Sequence, residues 1–422
     1  MDFQLNTNWE TTRTKTALRK RRTPEDTVLY RMVYHNLEEL KYCWEDRFQS
    51  EYGVFRTEVK KAFNDFLNCG ILYHGCAVAK CESCSHSELI AFSCKKRGIC
   101  PSCDAKRAVI FAEHLYQNVL PMHPTSHIVF TIPKRLRVFF KYNRKLTKHL
   151  YTAAWQTWKE LIEDAFPDCT SGMIMSLHTS GDLLNFHPHI HALAIYGAID
   201  NSGNFYNLDS VNTDWLNTVF ARNLFEALVK EELLDQDTVK SMQSWQHSGF
   251  NIWVGKPVKY SDADSLKFLA RYLKKAPVSN QRIEFLEDLN TVRYCKYTDA
   301  GKEHRDFDPL HFLAEVSQHI PNKWEQTVRY MGICSSRTRG AAKNTVITDF
   351  NPIDLDKPKP SRTWAACMKQ IFEFDPLICP KCGANMKIKS FITDDKEIQR
   401  ITEHHRLPAW RAPPAIKKKF LA

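Results

Sequence analysis

The stretch NFHPHIHALAIYG, residues 185–197, has histidines at positions 187, 189 and 191 and then continues into an apolar run. Successive side chains of a β-strand point to opposite faces, so this spacing predicts three imidazoles on one face, with Ile190 and Ala192 on the other. A single histidine in a strand is more often solvated or hydrogen-bonded to its neighbours. An alternating row beside an apolar run favours a set of metal ligands instead.

The composition indicates a globular protein with a polyanionic partner. The 422 residues suffice for roughly two to four domains, and 43% of them are hydrophobic. An excess of Lys and Arg (59) over Asp and Glu (48) gives a net charge of +11. Each basic cluster alone is typical of a solvated surface, but together they favour nucleic acid. No apolar run is long enough to cross a bilayer and no signal peptide is recognisable, so we expect a cytoplasmic protein.

The cysteine spacing predicts a structural zinc site. Fourteen cysteines in a chain without a secretion signal argue against a disulfide framework, because cytosolic thiols stay reduced. The pair Cys81 and Cys84 is followed after fifteen residues by the pair Cys100 and Cys103. Two CxxC turns at this distance are typical of a zinc ribbon, so we expect these four thiolates to bind one zinc ion.

Other residues near this segment have less certain roles. Cys69, Cys94 and His86 are close enough to substitute for a ligand or to extend the site, although such residues are more often buried thiols or a solvated imidazole. Basic residues flank the thiolates, so we expect the zinc to position a basic surface against DNA phosphates. These residues are Lys95, Lys96, Arg97, Lys106 and Arg107.

A second CxxC pair, Cys379 and Cys382, lies near the end of the chain. It has no obvious second half, and the candidate completions are Cys367, His404 and His405. One CxxC pair is a weak indication of zinc, so the sequence leaves open whether this pair binds a metal.

The spacing of apolar residues predicts an alternation of helices and strands. We expect two amphipathic helices between residues 27 and 68, strands within 126–200, and a helix from Asp262 that is stopped by Pro277. No internal repeat is visible. The chain is accordingly divided into a basic flexible arm (1–27), a helical and zinc-binding domain (28–120), a core (121–290), a core extension (291–345), and a linker with a small C-terminal domain (346–422).

His178 is the candidate third metal ligand. It lies eleven residues before His189, with a Gly-Asp turn between them, and a hairpin there would place it on a neighbouring strand. The alternative is an ordinary strand or turn residue. No HExxH helix accompanies these histidines, so a zinc protease is not indicated, whereas Mn or Mg that polarises a phosphate fits the pattern.

Tyr272, in the segment FLARYLKKAP, is the candidate nucleophile. A buried stripe of Leu266, Leu269 and Leu273 leaves Tyr272 on an adjacent flank of the expected helix, with Lys275 three residues later. A phenol needs a nearby cation or a metal-bound phosphate to ionise at neutral pH. The alternative is that Tyr272 only packs at the rim of the core.

The order of these motifs resembles that of the rolling-circle transposases of the insertion-sequence ninety-one family, which are HUH endonucleases that nick single-stranded DNA. The segment HPHIH ends in two histidines separated by one hydrophobic residue, and the expected helix that contains Tyr272 follows later in the chain. The similarity extends from about residue 30 to 410 through the segments FLNCG, FSCKKRGICPSC, TSGDLLNFHPHIH, ARYLKKAP, RYMGICSSRTRG and FEFDPLICPKCG.

The resemblance implies an α+β fold with a central antiparallel HUH sheet flanked by helices, an N-terminal helical and zinc-ribbon domain and a small C-terminal domain. It places the histidine pair on His189 and His191 and the third ligand on His178, with Mg or Mn as the catalytic ion and zinc as a structural ion. Tyr272, assisted by Lys275, would form a 5′-phosphotyrosine with single-stranded DNA at element ends, with Lys274 on the DNA. We further expect His187 to contact phosphate or support the ligands, and Asn185 to orient it.

One position departs from the family. Its members often carry two tyrosines one helical turn apart, but here the first position is Phe268. The chain therefore resembles the single-tyrosine branch, in which the second strand transfer needs the 3′-hydroxyl, the same tyrosine or a second subunit.

Three other functions fit parts of the pattern. They are a plasmid replication initiator or relaxase with the same core, a non-catalytic zinc-dependent DNA-binding protein, and a metal phosphodiesterase that acts through water. The N-terminal zinc ribbon favours the transposase over the initiator or relaxase.

Overall fold

A computed structural model describes residues 22–299, 301–342 and 377–416 of the chain. Residues 1–21 of the expected basic arm, Cys367 and the expected linker at 346–362 lie outside the described residues. Within the described part the architecture is α+β, as expected. None of the helices described there is long and apolar enough to cross a membrane.

The helices and strands are numbered in chain order. The α-helices are α1 (Val28–Arg47), α2 (Gln49–Tyr52), α3 (Thr57–Leu67), α4 (Pro101–Asn118), α5 (Arg137–Tyr142), α6 (Thr147–Ala165), α7 (Thr213–Lys230), α8 (Gln236–Gln243), α9 (Ala263–Tyr272), α10 (Pro309–Gln318), α11 (Ser336–Ala342) and α12 (Asp395–His404). The strands are β1 (Cys76–Cys81), β2 (Ser87–Ala91), β3 (Thr125–Thr131), β4 (Gly172–Ser180), β5 (Phe186–Ile195), β6 (Gly197–Ile199), β7 (Phe205–Asn207), β8 (Asn251–Val254), β9 (Ile283–Leu286), β10 (Thr291–Thr298), β11 (Gly301–Phe307), β12 (Val328–Gly332) and β13 (Met386–Ile392).

A five-stranded antiparallel sheet forms the centre, in the order β12-β4-β5-β3-β8. The histidine-rich stretch lies on β5, as its alternation predicts. A tight connection, in which the amide of Gly181 donates to the carbonyl oxygen of Asn185 at 2.8 Å, joins β4 to β5. His178 therefore lies directly opposite His189, which confirms the expected hairpin.

Helices cover both faces of this sheet, and the alternation along β5 decides what each face contacts. Ile190, Ala192 and Ala194 are fully buried in a core shared with α6 and α7. Leu193 and Ile195, whose side chains point to the other face, are buried in a second core with residues of α4 and α9. His189 and His191 are an even number of positions from these two residues, so they face the side of the sheet on which α9 lies.

The C-terminal segment is part of the N-terminal region rather than a separate small domain. Strand β13 pairs antiparallel with β1 and completes a three-stranded sheet in the order β13-β1-β2. Helix α1, which the apolar spacing correctly predicts, packs against α3 and α10 beside this sheet. The sequence places a small C-terminal domain at 346–422, and its local strand patterns do not show that Cys76 pairs with Ile392, 316 positions later.

Candidate active site and cysteine clusters

Three imidazoles meet at one end of the central sheet. One ring nitrogen from each of His178, His189 and His191 lies within 4.8 Å of the others. The Nε2 atoms of His189 and His191 are 3.0 Å apart. Because metal–imidazole bonds are about 2.1 Å long, neighbouring ligand atoms around one ion lie roughly 3 Å apart. The trio therefore has the spacing of a three-nitrogen metal site.

Hydrogen bonds at the outer nitrogens set the orientation of these rings. His178 Nε2 lies 3.1 Å from the carbonyl oxygen of Leu273, and His189 Nδ1 lies 2.7 Å from that of His187. A carbonyl oxygen only accepts, so each of these nitrogens carries the proton. In a neutral imidazole the other nitrogen then has a free lone pair, and in both rings that nitrogen is available to a cation.

His127, which the sequence analysis missed, supports the third ligand. Its Nε2 lies 3.0 Å from Nδ1 of His191, on the side of that ring away from His189. A proton shared on this contact leaves Nε2 of His191 free as a ligand. The signal was present, because His127 lies on β3 two residues from Val129, which pairs with His191.

Burial keeps the site neutral before any ion binds. Desolvation lowers the pKa of His189 and of His127 to about 4 and of His187 to about 3. The same cause lowers the pKa of His178 and His191 well below 6.5, and the neighbouring histidines lower it further. Neutral imidazoles are the form that binds metals, so the histidines are ready to coordinate an ion at neutral pH.

Helix α9 brings Tyr272 to the histidines. The side chain of Asp262 accepts from the amide of Ser265 at 3.1 Å and caps the N-terminus, where the sequence predicted that the helix begins. Leu266 and Leu273 are fully buried. The centroid of the Tyr272 ring lies 5.2 Å from that of His191. The phenol thus stands beside the trio rather than inside the core.

The helix ends at Tyr272, five residues before Pro277, where the sequence predicted its end. Leu273 and the following residues form a turn, so the Leu273 carbonyl is available to accept from His178. Lys275 Nζ donates to the Tyr272 oxygen at 3.4 Å, and Lys274 Nζ donates to Thr327 Oγ1 at 3.1 Å. The early end of the helix is therefore what allows two lysines to reach the site.

These groups line a cleft of about 850 Å³. Its basic lining residues are Arg97, Arg107, Arg144, Lys274, Lys275 and Arg282. His187 also lines it, and Nε2 of this buried ring has no hydrogen-bond partner among the described residues. Asp104 and Asp182 also line the cleft, so six basic side chains face two carboxylates and the lining has a net positive charge.

The expected DNA-contacting residues divide into two groups. Arg97, Arg107 and Lys274 line the cleft, whereas Lys95, Lys96 and Lys106 are not among its lining residues. Lys96 instead forms an ion pair with Asp65 at 2.8 Å. The zinc region thus contributes one wall of the cleft, which the sequence analysis did not foresee.

The four cysteines predicted to share one site belong to two clusters. Cys100 and Cys103, at the start of α4, lie with Cys69 and Cys94. The sulfur of Cys69 is 3.6 Å from that of Cys100 and 3.7 Å from that of Cys103, and the sulfurs of Cys94 and Cys103 are 3.6 Å apart. The single four-thiolate grouping was wrong because the first pair lies at the turn between β1 and β2, and this hairpin carries it away from the second pair. Cys69 and Cys94, which the sequence offers as possible substitutes for a ligand or extensions of the site although such residues are more often merely buried, complete the first cluster.

Cys81 and Cys84 lie with Cys379 and Cys382 in the second cluster. The candidate completion by His404 or His405 is not what the structure shows: His405 Nε2 contacts Ser87 Oγ at 3.2 Å. Backbone amides of Cys84 and Ser83 point at the Cys81 sulfur and lower its thiol pKa to about 6. His86, the other candidate, belongs to neither cluster.

Comparisons with known proteins agree with this arrangement. Residues 172–342, which include β4, β5 and α9, match a family model described as "Putative transposase". Residues 40–132 match the model "Transposase zinc-binding domain" of the insertion-sequence ninety-one type. The two matched ranges contain the histidine trio with Tyr272 and the first cysteine cluster, respectively. They define the class of the protein as a transposase, which is a DNA-processing enzyme.

Two curated relatives are similar over most of the chain. The transposase for insertion sequence element IS801 from Pseudomonas savastanoi pv. phaseolicola is 28% identical over 368 residues, which are 83% of this chain and 88% of that protein. The transposase y4qJ of Sinorhizobium fredii is 22% identical over 349 residues, 76% of this chain and 84% of its own length. No solved structure matches the chain. The chain belongs to the insertion-sequence ninety-one family of transposases, and the family model and the thiolate clusters support structural zinc in it.

Proposed function

We propose that this transposase nicks and rejoins single-stranded DNA at element ends through a covalent 5′-phosphotyrosine, in rolling-circle transposition. The observation that carries the proposal is the position of Tyr272, whose ring centroid is 5.2 Å from that of His191 in a cleft with a basic lining. A nucleophile, a set of metal ligands and cations for phosphate thus meet at one place. We extend the proposal to the domain layout, with an HUH core at 121–290 and an extension at 291–345.

His178, His189 and His191 would hold the divalent ion. Oxygen ligands are usual for Mg and Mn, so phosphate or water oxygens would complete the coordination that the three imidazoles begin. The bound ion would supply a Lewis acid that polarises the scissile phosphate and offsets its charge. His127 and the carbonyl oxygens of His187 and Leu273 keep the three rings in one orientation.

Tyr272 acts as the nucleophile. Its phenolic oxygen forms a bond to the phosphorus while the bond to the 3′-oxygen breaks, and the departing oxygen takes up a proton. The ester that remains joins the 5′ end of the DNA to the protein. Because the reaction exchanges one phosphodiester for another, a later 3′-hydroxyl can reseal the strand without ATP.

Lys275 assists at the phenolic oxygen. Its ammonium lies 3.4 Å from that oxygen and over the ring at 4.9 Å. A fixed positive charge at this distance stabilises the negative charge that the oxygen carries as it loses its proton. The same charge favours departure of the tyrosine when a hydroxyl later attacks.

The walls of the cleft would hold the DNA backbone. Arg97, Arg107 and Lys274 enter it from the zinc region and from the turn after α9. Trp253, whose ring is 5.5 Å from that of His127, adds an aromatic face to the same wall. Proteins that bind single-stranded DNA without strict sequence preference typically place basic side chains along the phosphate backbone and aromatic rings against the bases.

The first cysteine cluster would hold the structural zinc that fixes this wall. Cys100 is the N-cap residue of α4 and Cys103 lies in its first turn. Helix α4 then packs along α9, where Glu113 and Lys267 form an ion pair at 3.0 Å. Zinc at this cluster would therefore act on the reaction by positioning, through α4, the helix that carries Tyr272.

Covalent capture tests the proposal. The protein is incubated with Mn and end-labelled single-stranded oligonucleotides tiled across both flanks of its gene, and then run on a denaturing gel. We expect a DNA–protein adduct that peptide mass spectrometry assigns to Tyr272, and no adduct from Tyr272→Phe. The matched control, Tyr297→Phe, changes an exposed tyrosine outside the cleft and should keep wild-type yield.

Two results would contradict this function. Cleavage that persists in Tyr272→Phe would indicate hydrolysis by water. If the protein binds the oligonucleotides but neither cleaves any of them nor forms an adduct, with Mn or with Mg, it would be a non-catalytic DNA-binding protein.

A further inference from the structure

We propose that Cys81, Cys84, Cys379 and Cys382 bind a second structural zinc ion, which fastens the C-terminal segment 377–416 to the N-terminal sheet. Two of these cysteines lie outside the matched zinc-binding domain, which ends at residue 132. The inference concerns only these residues and does not rest on the reaction proposed above.

The sulfur positions fit a tetrahedral zinc site. Cys81 Sγ lies 3.5 Å from Cys382 Sγ, and Cys84 Sγ lies 3.6 Å from Cys379 Sγ, and all four sulfurs are within 4.8 Å of one another. With zinc–sulfur bonds of about 2.3 Å, the edges of a tetrahedron are roughly 3.8 Å. The sulfurs are too far apart for disulfide bonds, which are about 2.05 Å long. Four thiols at this spacing have the ligand number and geometry of a closed site.

Each CxxC pair also has the backbone of a metal-binding turn. The amides of Ser83 and Cys84 point at Cys81 Sγ at 3.4 and 3.5 Å. In the second pair the amide of Gly383 donates to the carbonyl oxygen of Cys379 at 2.9 Å. Gly383 has φ of 75°, a conformation that glycine adopts without steric cost and that closes this turn. Backbone amides aimed at sulfur stabilise a thiolate.

The cluster lies where the C-terminal segment joins the sheet. The last pair of the β1–β13 ladder is Cys81 with Met386, so the ligand Cys81 is itself part of the pairing. Strand β13 is otherwise an exposed edge, in which Lys387 to Phe391 are solvent-exposed. Met386 is buried but the next five residues of β13 are exposed, so the strand itself contributes little apolar burial to the attachment. A metal that links both strands adds to that attachment.

Cobalt substitution of the full chain tests this assignment. Thiolate–Co²⁺ charge-transfer absorption counts cobalt–sulfur bonds and ignores histidine ligands. We expect wild-type protein to bind cobalt in two four-thiolate sites, and Cys379→Ser/Cys382→Ser to lose about half of the absorption. The control, Cys43→Ser/Cys169→Ser, changes two cysteines outside both clusters and should keep all of it.

Hydrogen exchange on the same proteins gives a second readout. In Cys379→Ser/Cys382→Ser, and in wild type after chelation, we expect the amides of β13 to lose protection while those of β3 and β5 keep theirs. That comparison also shows whether the variant remains folded. Absorption unchanged in Cys379→Ser/Cys382→Ser, or β13 protection that survives chelation, would each overturn the proposal.

Discussion

Lys274 is a half-buried basic residue in the lining of the cleft. Its ammonium contacts Thr327 Oγ1 at 3.1 Å and the Phe111 ring at 5.3 Å, and its side chain reaches no carboxylate within ion-pair distance in the described residues. Burial, with the charges of Arg97 and Arg107, lowers the pKa of Lys274 from 10.5 to about 8. A cation held in this way is ready for an anion that enters the cleft.

We expect Lys274→Met to raise the melting temperature at pH 7. A lysine whose pKa falls on folding destabilises the folded protein, because the unfolded chain binds the lysine proton more tightly than the folded chain does. The cost is complete below about pH 8 and disappears as the pH rises toward 10.5. At pH 7 it amounts to about 3 kcal/mol at most, from roughly 1.4 kcal/mol for each pKa unit.

Differential scanning calorimetry at pH 7 and pH 10 measures this effect. The gain should be several degrees at pH 7 and smaller at pH 10. Lys275→Met removes an exposed lysine next in sequence and should change the melting temperature little. An equal gain for Lys274→Met at both pH values would contradict the explanation.

Helices α4 and α9 must lie close together for Tyr272 to reach the histidines. Ala112 on α4 and Ala270 on α9 are both buried in the core between them, together with Leu115 and Leu273. Small residues at a helix contact let the two backbones approach. The placement of the tyrosine is therefore set by packing several residues away from it.

We expect Ala270→Leu to slow adduct formation by at least tenfold without loss of the metal site. The larger side chain overpacks the contact, which typically costs about 1–3 kcal/mol, and moves α9 away from α4. Single-turnover adduct formation is compared with Mn affinity from calorimetry. Phe268→Leu, on the exposed face of the same helix, should leave both unchanged. A normal adduct rate in a stably folded Ala270→Leu would show that this contact does not position Tyr272.

The sequence predicted those parts of the site that depend on local periodicity. His178, His189 and His191 could be identified because strand alternation and one hairpin place them together. The start of the helix near Asp262 and the flank position of Tyr272 could also be predicted from the sequence. In contrast, the pairing of Cys81 with Cys382 spans 301 residues and depends on which strands pair, and no local pattern encodes that choice. The position of α4 against α9 was missed for the same reason.

The charge of the whole molecule gives a further prediction. Six basic side chains line the cleft, Arg97, Arg107 and Arg282 among them. Each phosphate that such a cation neutralises releases counterions, so binding to single-stranded DNA should weaken as salt rises, with a slope of about −0.7 for each contact.

We expect Arg107→Gln to reduce the magnitude of this slope by about 0.7, because one phosphate contact is lost. Fluorescence anisotropy over a salt series with a labelled oligonucleotide measures it. Lys240→Gln, on the exposed α8 away from the cleft, should keep the wild-type slope. Equal slopes for all three proteins would place the DNA elsewhere on the molecule.

The distance in sequence between the two halves of the second cysteine cluster affects how the protein is made. Cys84 leaves the ribosome 295 residues ahead of Cys379, its partner in the finished fold. At about 5–20 residues per second, the growing chain holds an incomplete sheet edge for roughly 15 to 60 s. The N-terminal sheet is therefore complete only after nearly the whole polypeptide has been synthesised, and until then its edge is open to pairing with other chains.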